Sequence, residues 1–128
     1  MKSPRIRLLG RVTGVPVYLV DGERIRNETE IEFTSGGHGY VYPHFIPKGE
    51  IWIDDGIHGV IDLMATTYHE AVERDLMKDY EYSYDRAHGI ASKLETAFRR
   101  RLAQAGRPRA FDGRQVDAQI RATCPHCS

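Results

Sequence analysis

The chain has 128 residues, and its 18 basic and 18 acidic side chains cancel in formal charge. That length suits one domain with a single core, and the charge balance argues against a protein that tracks nucleic-acid phosphates. No apolar run approaches the ~18 residues of a membrane span, and the first residues lack the apolar stretch and cleavage site of a secretory signal.

Residues 6–9 and 15–20 read as two strands joined by a glycine-containing turn. Asp21-Gly22 is a hairpin signal, which predicts a returning strand from Glu23 to Asn27. Ile31-Glu32-Phe33 and Tyr40-Val41-Tyr42 predict a second strand pair. Between them Thr34-Ser35-Gly36-Gly37-His38-Gly39 reads as a flexible loop, because its glycines permit positive φ. Pro43 and Pro47 bracket an irregular segment, and Glu50 to Asp54 form a short alternating strand closed by Asp55-Gly56.

The period then changes. Ile61, Ala65, Tyr68, Val72 and Leu76 recur at three- and four-residue steps, which predicts an amphipathic helix from about Val60 to Lys78. A second helix is expected from Tyr84 to Ala105, capped by Ser83, with Asp85 in its first turn. Ala87, Ala91, Leu94, Phe98 and Leu102 form its buried stripe, and Gly106 and Pro108 end it. The expected fold is α+β, with N-terminal antiparallel β-hairpins in a small sheet packed on two C-terminal helices. Residues 1–105 form the domain, and 106–128 form a weakly patterned polar extension. The clusters Lys2, Arg5, Arg7, Arg11 and Arg99-Arg100-Arg101 read as solvated surface.

His69 and Glu73, four apart on the first helix, have Cβ atoms about 6 Å apart on one face. The turn at 79–83 folds the second helix back, and His88 lies in that helix's second turn. Two imidazoles and one carboxylate with an open position suit a divalent ion. Zn2+ is the first choice, although Mn2+ and Fe2+ accept the same donors. Glu70 stands 100° around from His69, so it reaches past the ion and is the candidate general base. Glu95 shares a helix margin with His88 but lies about 10 Å along the axis. It reads as an outer support, an ion-pair partner for Arg99 or plain surface, not as a ligand. Asp62 and Thr66 precede His69 by one or two turns, where they could orient it. His44 and His58 fall in loops and carry no assigned chemistry.

Asp85 and His88 also echo the carboxylate-x-x-His of di-metal bundles, an arrangement that would need a dimer of this chain. Cys124-Pro125-His126-Cys127 has the spacing of a redox pair or of half a zinc site. Cysteines gathered at one end do not staple a secreted fold, so a reducing, cytoplasmic setting is expected.

A strand leading into a helix with His69-Glu70-x-x-Glu73, followed by a second helix bearing His88, resembles the zincin metallopeptidases over residues 30–100. The His-Glu…Tyr-Asp-x-Ala-His arrangement is also similar to that of small phage or bacterial proteins. The zincin resemblance implies that His69 is a zinc ligand and Glu70 the base. It further implies that Ile51, Trp52 and Ile53 line a groove for an extended peptide, on a strand at the sheet edge. Gly36, Gly37 and His38 would form a mobile loop beside that groove, placing His38 at the substrate. The chain departs from the family by carrying Glu73 where a second His is usual and His88 where one branch has Glu. The expected function is therefore a zinc hydrolase of peptidase type acting on peptides or proteins. The alternative is a non-catalytic module that presents a peptide-binding edge around a structural ion.

Overall fold

A computed structural model describes residues 3–123. Strands β1 (Arg5–Val12) and β2 (Val15–Val20) form an antiparallel hairpin. Its two turn residues, Thr13 and Gly14, have φ of 51° and 78°, the paired positive values that a tight hairpin requires. Helix α1 (Gly22–Glu28) follows where a returning strand was expected. Asp21 caps it, with Oδ1 accepting from Arg24 N–H at 3.0 Å. The same short carboxylate serves a turn or a helix start, and here the helix wins.

The expected strands at 31–33 and 40–42 are absent. The intervening glycines form β3 (Gly36–His38), which pairs antiparallel with β4 (Ile51–Asp54). These glycines serve close packing and not mobility, and none of the three has positive φ. A Cβ on Gly37 would stand 2.7 Å from the Tyr42 ring, and one on Gly39 would strike the Lys48 backbone. β2 and β4 run parallel, so the sheet is mixed, in the order β1-β2-β4-β3. The α+β class expected from the sequence holds.

Successive residues of β4 point to opposite faces, and both faces are covered. Ile51 and Ile53 join the main core, with Val17, Tyr68, Val72 and Phe98. Trp52 packs on the other side with Val20, Ile25, Phe33 and Ile46. Helix α2 (Val60–Tyr80) packs against β3 and β4, and α3 (Tyr84–Gln104) folds back on it after the turn. Ser83 caps α3 as expected, accepting from Arg86 N–H at 3.2 Å. Ala87 and Ala91 are small residues on the buried face of α3, and they let the backbones approach where His88 must reach across.

The C-terminal segment departs from a loosely packed extension. Residues Gly113–Thr123 form α4, and Val116 and Ile120 are buried in the main core. Asp112 Oδ1 accepts from Arg114 and Gln115 N–H, opening the helix. Asp117 Oδ1 accepts from Thr13 N–H at 2.7 Å, and Tyr68 Oη meets Thr123 Oγ1 at 2.7 Å. Cys124 and Cys127 lie outside the described residues. No helix among the described residues is long and apolar enough to cross a membrane.

Candidate metal centre

α2 is buried continuously from Met64 to Leu76, and that run includes His69, Glu70, Glu73, Arg74 and Asp75. Burying ionisable groups is costly unless each finds a partner, so their partners define the site.

Glu73 sits at the centre. Its Oε1 accepts from His38 Nε2 at 2.9 Å. Its Oε2 lies 3.1 Å from His69 Nε2 and 2.9 Å from His88 Nδ1. Those two nitrogens are 3.2 Å apart. The three donor atoms thus form a nearly equilateral triangle. Donors of a tetrahedral ion with bonds of ~2.0–2.1 Å stand roughly 3.3 Å apart, so the triangle need widen only slightly to fit one. The three ligands expected from spacing are therefore brought together.

His69 Nδ1 has Glu95 Oε1 at 2.9 Å. Nδ1 is buried and makes no hydrogen bond to a described residue, so Glu95 acts on it through its charge. Glu95 is braced by Arg99 Nε at 2.7 Å, and Arg99 also pairs with Asp62. Asp62 therefore acts on His69 only through Arg99 and Glu95, while Thr66 lines the cavity without bonding the ring. The supporting role read for Glu95 matches this placement.

Glu70 makes no hydrogen bond to any described residue and faces a cavity of about 430 Å³. Thr34, Ser35, Gly36 and Tyr42 line one wall, and Tyr84 and Ser92 line the other. His88 is 47% exposed at the mouth, so the cavity opens directly onto the triangle. Burial, and then the charge of Glu73, push the Glu70 carboxyl above the ordinary range. Burial also pushes Glu73 up, but hydrogen bonds from His38, His69 and His88 outweigh it and hold Glu73 below that range. Burial pulls His69 down, yet contacts with Glu73 and Glu95 lift it above an ordinary imidazole. The surrounding carboxylates thus favour a positive charge at this point, whether a proton or a cation carries it.

Several expected roles are corrected. Ile51, Trp52 and Ile53 cannot line a groove, because β4 is flanked by β2 and β3 and all three side chains are buried. His38 is not on a mobile loop at the substrate. It is fully buried at the end of β3, against Glu73. His44 stays on the surface, paired with Glu30. Two residues of the site were not read from the sequence, the partner role of His38 and the position of Tyr84, whose Oη is 3.4 Å from His88 Nδ1. Tyr84 precedes His88 by one helical turn, a spacing that could have marked it. His38 lies 35 residues from Glu73, and no local pattern marks it.

Comparison with protein-family models, with curated proteins and with solved structures returns no match for this chain.

Proposed function

We propose that the protein is a metal-dependent hydrolase of zincin-like build, acting on the carbonyl of a peptide or protein with one divalent ion. Zinc is the first candidate, and manganese or iron would accept the same donors. The triangle of His69 Nε2, His88 Nδ1 and Glu73 Oε2, with edges of 2.9–3.2 Å beside an open cavity, carries this reading. A divalent ion bound there supplies Lewis acidity, which acidifies water and polarises a carbonyl.

The chain's own groups supply the rest. Glu70 borders the cavity without a hydrogen-bonding partner among the described residues, so its carboxylate is free to take a proton from water and return it to a leaving amine. Burial and the charge of Glu73 raise this carboxyl to about 8, so it holds a proton readily, and a cation at the triangle would favour its charged form for the first transfer. Tyr84 offers a phenolic donor at the mouth, where charge on a carbonyl oxygen would need one. An extended peptide is better matched to β3 than to β4, since β3 ends the sheet and Ser35 and Gly36 line the cavity.

The test is elemental analysis of untagged protein purified without added metal, coupled to a peptide-cleavage assay. The expected result is one ion per chain, lost in His69→Ala and in His88→Ala. Glu70→Gln should retain the ion and lose cleavage. Ion retained in both histidine variants overturns the assignment. Peptide binding that persists without any cleavage would make the chain a binding module instead.

A further inference from the structure

His38, Glu70 and Glu73 also place three donor atoms within 4.8 Å of one another. Taken alone, that group reads as a second ion position sharing Glu73. The backbone argues otherwise. Tyr40 N–H donates to His38 Nδ1 at 3.2 Å. A ring nitrogen that accepts carries no proton, so the single proton of the neutral imidazole sits on Nε2. That nitrogen lies 2.9 Å from Glu73 Oε1 and donates to it. It has no lone pair left for a cation.

The amide that imposes this tautomer is itself held in place. Val41 and Tyr42 N–H both donate to the His38 carbonyl, closing a turn around Tyr40. Gly39 packs so closely on Lys48 that no side chain fits there. Arg74, the residue after Glu73, donates through Nε and Nη2 to the Lys48 carbonyl at 2.9 and 2.8 Å, and its guanidinium lies 5.4 Å from the Tyr40 ring centre. The helix that carries Glu73 thus also secures the turn that orients its partner.

We propose that His38 is a positioning residue: its Nε2–H, fixed by the Tyr40 amide on the opposite nitrogen, holds Oε1 of Glu73 so that only Oε2 faces His69 and His88, and the cavity takes one ion, not two. This rests on the metal reading above and deepens it. Glu70, deprived of an imidazole co-ligand, is left for proton transfer.

The experiment titrates Zn2+ alone into the unaltered protein, His38→Leu and His38→Gln by calorimetry. Leucine fills much of the volume without a donor, whereas glutamine returns an N–H near Nε2 but no imidazole. One ion per chain is expected for the unaltered protein, with affinity about 10–100-fold weaker in His38→Leu and largely restored in His38→Gln. Nitrogen-15 NMR of the ion-free protein should show His38 as the Nε2–H tautomer, which a merely space-filling role does not require. Unchanged affinity in His38→Leu, two ions per chain, or an Nδ1–H tautomer each overturns the proposal while the metal reading stands. No ion bound by the unaltered protein overturns both. Should His38→Leu fail to fold, restored affinity in His38→Gln and the tautomer decide.

Discussion

Glu95 Oε1 on α3 lies 2.9 Å from His69 Nδ1 on α2, on the side of the ring away from Glu73. The negative charge there favours a proton on the Nδ1 side, and Nε2 is the nitrogen that faces Glu73 and His88. Neutralising it in Glu95→Gln should weaken Zn2+ binding about 10–100-fold, as for other outer partners of ligating histidines. Calorimetry measures this directly, and undiminished affinity would show that packing alone orients His69.

Glu70→Gln preserves shape and removes the proton acceptor. Cleavage of a fluorogenic peptide should fall about 10²–10⁴-fold, the usual contribution of a positioned base. Ion content should be unchanged. A variant that loses the ion as well would place Glu70 among the ligands.

Asp75 supplies a pH test away from the ion. Burial lifts its carboxyl from an ordinary 3.8 to about 6, against the opposing influence of Arg74. The folded state therefore binds more protons than the unfolded state between these values, and this group's stabilising contribution is lost as pH rises through about 6. Asp75→Asn should match the unaltered protein near pH 4 in urea unfolding, and exceed it near pH 7.5 by on the order of 2 kcal/mol. An equal difference at both pH values would assign the effect to packing.

Ile120 tests the place of α4. It is 1% exposed in the main core, so Ile120→Ala should cost about 2–5 kcal/mol. A loss below about 0.5 kcal/mol is what an exposed surface position would give, and would return the segment to the role of a tail.

The parts legible in the sequence were those where one local rule had no competitor. Tyr68, Val72 and Leu76, and Ala87, Ala91 and Phe98, repeat at helical steps long enough to mark α2 and α3. Because the turn between these helices is short, His88 could be placed opposite His69 and Glu73. Asp21-Gly22 failed because a hairpin turn and a helix cap recruit the same side chain. Gly36 and Gly37 misled because glycine signals either a freely bending loop or a strand pressed against its neighbours, and only the Tyr42 ring and the Trp52 carbonyl separate the two. Helix α4 was hidden by its polarity, although Val116 and Ile120 stand four apart and Asp112 precedes them as a cap. His38 was placed in the wrong role because its partners, the Tyr40 amide and Glu73, are defined by tertiary structure.

The hydrogen bond that Thr13 N–H donates to Asp117 also bears on the order of assembly. Gly113 rests on the Arg11 backbone and Phe111 on Gly10, so the first hairpin is roofed by the last helix. A nascent chain leaving the ribosome can fold its hairpin early, but the part of its apolar face that α4 covers stays open until residue 120 has emerged. Closure of the core therefore waits for α4, and the interval before it is when a chaperone would find the most to hold.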